Sequence, residues 1–432
     1  MANTTSTNTS LSPVTQGERV FALRDHLALW FSLGVGLLVI QIGAYLVPAV
    51  GTQDALLAIC LGSVIGAGLL AWTAQLGCRS GLSSAGLMHA TYGSSFARLP
   101  IFLNIAQLIG WTTFELVVMR DGTAAILSQS LGWDAAGMAG KLATTGLWGA
   151  VLVLLLLGTM TQLVRKLISR IALPLVFASL VWLTWQFGSQ ISAKGFDVFW
   201  HRVGDGSMGM LSAMDLVIAM PVSWLPLVAD YARYGKSRRS TLGGTWLGYA
   251  LANIWCYALG VMVVSVAQPG TDLVTALLLA QGGLIALSLI LIDEIDNAYG
   301  DVYSGAVSGH SLKSSWSIRQ WGMGLVVLCT GLALVLPIHS LEPFLLMLSS
   351  VFVPLYGVIL GRLSLGGDAV PKTSVRVDWL AATLWLGGIA CYHGLAQVAP
   401  QWGSALPTLC LTFTLAWLTR PGTRSIQTST TA

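Results

Sequence analysis

Leu29-Trp30-Phe31-Ser32-Leu33-Gly34-Val35-Gly36 lies inside an apolar run that covers residues 27–49. Roughly twenty apolar residues cross a hydrocarbon core as a helix, and two glycines so close together near the middle of such a run interrupt it. A second interruption falls in the apolar run 208–231, where Pro221 and Pro226 flank Ser223-Trp224. Paired interruptions in corresponding spans point to a transporter built from inverted repeats, whose broken helices offer backbone groups to ligands. Gly and Pro are also frequent in ordinary membrane helices, so spacing alone leaves both readings open.

The same length criterion gives twelve spans, at 27–49, 54–77, 99–130, 143–162, 168–188, 208–231, 241–268, 275–306, 318–337, 340–362, 378–397 and 403–419. The third and eighth are long enough to tilt or protrude. The segment 78–98 between the second and third has room for a short amphipathic helix, and 189–207 is the longest outer loop. Of 432 residues, 55% are hydrophobic and only 9% charged, against about 25% in a soluble domain. An all-α polytopic membrane protein is therefore expected, and a soluble multidomain protein is excluded. The 48 glycines and 17 tryptophans suit close helix packing and interfacial anchoring. A net charge of +4 in scattered clusters offers no nucleic-acid surface. The six cysteines stand singly, without the spacing of a zinc site or a disulfide framework.

Orientation follows from Lys and Arg. With the N-terminus inside, 18 of the 22 basic residues fall on the cytoplasmic side, among them Arg19, Arg24, Arg79, Arg98, Arg165, Lys166, Arg170, Arg233, Lys372 and Arg424. Only Arg120, Lys141, Lys194 and Arg202 fall outside. Both termini are expected in the cytoplasm, with a disordered tail at 1–26 and a second tail at 420–432.

Acids inside apolar spans are costly and usually face a cavity. The third span carries Trp111 and Glu115 four residues apart, hence on one helix face. An indole beside a carboxylate suits a flat polar heterocycle, the ring stacking while its N–H groups bond the acid. The eighth span reads Asp293-Glu294-Ile295-Asp296-Asn297-Ala298-Tyr299-Gly300-Asp301. Asp293, Asp296, Asn297, Gly300, Asp301 and Ser304 share one face of about 160°, with Glu294 at its margin. These acids suit cation binding, proton exchange or an amino-bearing ligand, and Asp293 also suits a cap or a pair. Trp224 stands at the interruption of the sixth span as a second aromatic face, with Asp230 and Arg233 at the inner end as a structural or gating pair. Gln41 is expected to bond a neighbouring helix, with service to the cavity as the alternative. His26, His89, His201, His310, His339 and His393 lie at span ends and loops, where interfacial roles fit better than metal binding.

These residues resemble the nucleobase–cation symporter-1 family of purine, cytosine, allantoin and hydantoin permeases, and within it the hydroxymethylpyrimidine permease branch of CytX type. The resemblance runs from Leu29-Trp30-Phe31 to the end of the chain. It is carried by Trp111…Glu115, by Ser223-Trp224…Asp230-Tyr231-Ala232-Arg233, by Pro354-Leu355-Tyr356-Gly357, and by Arg79-Ser80-Gly81-Leu82 with Tyr92-Gly93. It implies a LeuT-like fold: inverted repeats over 27–188 and 208–362, then two C-terminal helices over 378–419. It also implies a substrate held between Trp111 and Trp224, beside Ser223. A span 3 amide of the family falls on Glu115, a span 8 asparagine on Asp301, and a span 1 glutamine on Gly36, where that contact is lost or passes to backbone. The family's sodium ligands fall on the carbonyls of Ser32, Val35 and Ile292 and on the side chains of Ile295 and Asp296. One hydroxyl is thus lost and another has become a carboxylate.

Two amides that donate and accept have become acids that chiefly accept when ionised. A donor-rich ring such as a protonated aminopyrimidine suits them, its amidine-like edge bonding a carboxylate as a guanidinium does. Carbonyl-rich rings suit them less. The expected protein is a bacterial inner-membrane symporter, working as a monomer without cofactor, that imports hydroxymethylpyrimidine with Na+ or H+ by alternating access. A cytosine or purine permease is the alternative within the class. No nucleophile, metal cluster or phosphate loop supports an intramembrane enzyme.

Overall fold

The computed structural model describes residues 10–133, 135, 137–162, 173–268, 270–336, 341–365 and 375–420. Outside them lie both extreme tails, the opening of the fifth span at 168–172, residues 337 and 340 at the ends of the ninth and tenth spans, and Arg165, Lys166, Arg170, His339, Lys372 and Arg424.

Among the described residues, each expected span overlaps helix. The first is two helices, Leu23–Ser32 and Leu37–Val50, bent by 60° at the glycine-containing break. The next are Thr52–Ser80, Arg98–Leu131, Met138–Leu156 and Leu173–Lys194, then the sixth as Met210–Ser223 and Leu225–Ala232. Arg238–Val266, Gly283–Leu312, Ile318–Val335, Leu341–Leu363, Trp379–Val398 and Ala405–Leu418 complete the order. Among the described residues, seven helices are each long and apolar enough to cross a membrane, and the bent pair makes an eighth. The eighth span, Gly283–Leu312, is long enough, but its four carboxylates keep it out of that set. Its apolar side faces outward through Ile292, while all four acids are buried in the bundle.

Three local expectations change. The eighth span starts at Gly283 rather than 275, because Leu273–Leu279 is a separate short helix and Gly282 turns the chain at φ 69°. The linker helix Ser84–Tyr92 forms, but it is buried beneath the bundle rather than lying amphipathic on the face. Residues 10–22 are not loose. Val14 N–H donates to Gly81 O at 3.0 Å, and Phe21 exchanges backbone bonds with Tyr234 and Lys236. Phe21 itself is fully buried.

The broken first span packs on the seventh through glycine. A Cβ at Gly43 would lie 2.1 Å from the Tyr257 carbonyl oxygen, and one at Gly260 would lie 2.0 Å from that of Ile40. Only hydrogen side chains allow backbones that close. This crossing, with the eighth span on the other side of the break, sets the position of the central site.

Candidate functional site

The break in the first span exposes backbone groups that a continuous helix would pair. Side chains of the eighth span take them. Glu294 Oε1 accepts Leu37 N–H at 2.5 Å, at the start of the second half-helix. Asn297 Nδ2 donates to the Val35 carbonyl at 3.1 Å and to Glu294 Oε2 at 3.2 Å. The sixth span differs. Pro226 lacks the N–H that would bond back to Val222, yet the two halves stay close to one axis, with Trp224 itself in helical conformation. Two carbonyls at the interruption bond the third span: Gln107 Nε2 donates to Ser223 O at 3.2 Å and Asn104 Nδ2 to Pro226 O at 3.0 Å.

Between these breaks lies a cavity lined by Gly36, Trp111, Glu115, Ser223, Trp224 and Asp301, all six expected substrate residues. Val35, Glu294 and Asn297 join them. Each indole is held by another ring: Trp111 meets Phe344 of the tenth span edge-on at 5.2 Å, and Trp224 meets Trp30 edge-on at 6.1 Å. Ser223 turns its hydroxyl to Met220 O at 2.7 Å, so its own donor is already engaged. The free space is about 20 Å³, room for roughly one water. A ring therefore enters only as the indoles and acids move apart.

At the end of the first half-helix of the first span, Ser32 Oγ stands 2.7 Å from Asp293 Oδ1 and 2.7 Å from Asp296 Oδ2. A hydroxyl has one proton to donate, so it satisfies one carboxylate and leaves the other facing an oxygen. Such a pair is complementary to a positive charge. Of the expected cation residues, Ser32 and Asp296 meet directly. The Val35 carbonyl is beside them but engaged by Asn297. Ile292 turns its side chain outward, leaving only its carbonyl for the role, and Ile295 packs half-buried against the core.

Some cavity and neighbouring residues were not singled out in the sequence. Asp293, on the polar stripe, forms a pair with the Ser32 hydroxyl, one of the two local roles open to it. Glu294 reaches the cavity although it sits at the margin of the stripe. Asn104 and Gln107 were legible in principle, since Asn104, Gln107, Trp111 and Glu115 recur at steps of three and four on one helix face. Gln41 is exposed rather than bonded to a neighbouring helix. Asp230 and Arg233 are not a carboxylate–guanidinium pair. The Asp230 carboxylate accepts from Ser84 N–H and the Ser304 hydroxyl, while Arg233 Nε donates to the Asp230 main-chain oxygen and the guanidinium lies 5.1 Å from the Tyr234 ring centre.

Residues 13–298 match the sequence family described as permeases for cytosine/purines, uracil, thiamine and allantoin, a match over well more than half of the chain. The chain belongs to this permease family. No curated protein sequence matches it. Among solved structures, the permease is similar to Mhp1, described as a nucleobase-cation-symport-1 family transporter, closed with bromovinylhydantoin bound. The TM-score is 0.80 at 16% identity, over 95% of this chain and 93% of that one. Inward-facing Mhp1 gives 0.74 at 17% identity, over 95% and 92%. MhsT in complex with L-phenylalanine gives 0.61 at 17%, over 91% and 98%. At such identities the likeness carries the fold, which is the LeuT-like transporter fold expected from the resemblance. A permease moves its cargo unconverted, so the permease is a transporter and not an enzyme.

Proposed function

We propose that the permease imports an aminopyrimidine, hydroxymethylpyrimidine in the first place, together with a monovalent cation by alternating access. The observation that carries this is the pairing of Trp111 and Trp224 with Glu115 and Asp301 around one cavity. The indoles stack the ring, and the acids bond its amino edge, with Ser223 and the Gly36 backbone alongside. Cation binding falls to Asp296 and Ser32, assisted by Asp293 and by the carbonyls of Val35 and Ile292, with Ile295 packing behind them. The hydroxyl bridging two carboxylates supports a coupling cation, either Na+ or H+.

In this reading the repeats run over 27–188 and 208–362, the helices over 378–419 flank them, and the fifth and tenth spans gate. The protein works as a monomer in the bacterial inner membrane with both termini cytoplasmic, as its basic residues support. Mhp1 closes over a hydantoin, a ring of comparable size, and the contracted cavity here supports an occluded state. The test is competitive uptake of labelled hydroxymethylpyrimidine and cytosine, with Na+ and pH varied separately. Hydroxymethylpyrimidine is expected to outcompete cytosine. Preference for cytosine moves the protein to the alternative branch, and uptake of neither withdraws the aminopyrimidine reading.

A further inference from the structure

The cavity at the break holds a third carboxylate to which the aminopyrimidine reading assigns no task. Glu294 lines it with Glu115 and Asp301. Each Glu294 oxygen spends one lone pair on the break, through Leu37 N–H and Asn297 Nδ2, and keeps another. Glu115 Oε2, Trp111 Nε1 and Asn297 Oδ1 have no hydrogen-bond partner, although all three side chains are more than nine-tenths buried. Among the described residues lining the cavity there is no Lys, Arg or His. Acids gathered in so dry a space, with no basic side chain to balance them, are neutralised by their own protons or by a bound positive charge, and a cationic cargo can take the place of those protons.

Gly36 gives Glu294 its place. The backbone there is extended, with φ 173°, a conformation open to any residue, so space is the constraint. A Cβ at Gly36 would lie 3.2 and 3.3 Å from the two Glu294 oxygens and 3.6 Å from Asn297 Nδ2.

We infer that Glu294 is a further substrate-binding carboxylate, and that the cargo is a flat cation of amidinium type whose charged N–H edge lies between Glu115 and Glu294. Asn297 Oδ1 is the nearby neutral acceptor for a further N–H. The inference rests on reading this cavity as the substrate site and narrows the cargo from an aminopyrimidine to its ring-protonated form or a similar cation.

Benzamidinium and benzamide are nearly isosteric and differ in charge, so their binding to the purified full-length protein, measured by calorimetry in nanodiscs, tests it. Benzamidinium is expected to bind about tenfold more tightly than benzamide, the factor of one charge-assisted hydrogen bond. Glu294→Gln keeps an acceptor for Leu37 N–H and is expected to remove most of that preference. Gly36→Ala, which displaces the carboxylate by crowding, should act in the same direction and serves if Glu294→Gln does not fold. Equal affinity of the two probes, no binding of either, or a preference that survives both substitutions overturns the inference. A Glu294-dependent preference without aminopyrimidine uptake leaves the inference standing and defeats only the proposed cargo. Aminopyrimidine uptake without any charge preference does the reverse.

Discussion

Ser32 has one hydroxyl proton and two carboxylates at 2.7 Å, an arrangement complementary to the coupling cation proposed above. Ser32→Ala should raise the half-saturating concentration of the coupling ion by about tenfold, the value of one hydrogen bond to a charged group. Initial uptake rates over a range of Na+ and of pH check this. Glu115 has an oxygen with no partner in a buried site, and Glu115→Gln should weaken aminopyrimidine uptake by about tenfold or more. Unchanged uptake at equal expression removes the acid from the site. The sequence marks Glu115, because a carboxylate in an apolar span stands out, whereas Ser32 is marked only by the family resemblance and through its carbonyl. It leaves Glu294 at the margin of the stripe, from which the side chain still reaches the cavity. A helical wheel records the direction of the Cα–Cβ bond, whereas the reach of a glutamate and the 60° bend of the facing span decide what its oxygens touch.

At the scale of the helix, the two interruptions looked alike in sequence and fold differently. The first span bends sharply because Gly36 is extended and its freed groups find Glu294 and Asn297. The sixth stays near one axis because Trp224 remains helical, and Asn104 and Gln107 bond the Pro226 and Ser223 carbonyls around the interruption. The difference lies in the backbone at each break, extended at Gly36 and helical at Trp224, and in which partner side chains face it, the second of which nothing local to either stretch records. The crossing of the first and seventh spans is as constrained as the break. Gly260→Ala would bring a Cβ to 2.0 Å from Ile40 O and force the backbones apart. We expect a loss of about 1–3 kcal/mol, visible as a lowered unfolding temperature of the purified protein, with cargo affinity falling as the break shifts.

Across the whole molecule, the segment 10–22 ties the second span to the loop after the sixth. Arg19 Nη1 donates to Cys78 O at 2.8 Å, Cys78 Sγ to Gly235 O at 3.4 Å, and Phe21 lies fully buried between His26 and Tyr234. Truncating a buried Phe costs about 3–5 kcal/mol. Phe21→Ala should therefore speed maleimide labelling of Cys78 by about tenfold or more through local opening, in a background where Cys60, Cys391 and Cys410 are serine. An unchanged rate would mean that the segment does not cover this thiol. A carrier also makes a prediction about the entire protein. In proteoliposomes the labelled cargo should accumulate unmodified above its external concentration only while an ion gradient is imposed, and collapse of the gradient should release it. Uptake that merely equilibrates indicates a channel.

Composition and span length by themselves determined that the chain is a helical membrane protein, and the distribution of its few charges determined which spans carry the polar work. Hydrocarbon admits only backbone that is paired internally, so apolar runs of sufficient length become helices whatever surrounds them. The rare acids in those runs announce themselves by their cost. Only the tertiary structure decided which acids meet. Asp293 and Asp296 converge on Ser32 while Glu294 joins Glu115, although all four carboxylates were visible in two short stretches of sequence. That outcome depends on the bend of the first span and on how close its glycines let the seventh approach, which are distances between helices remote in the chain.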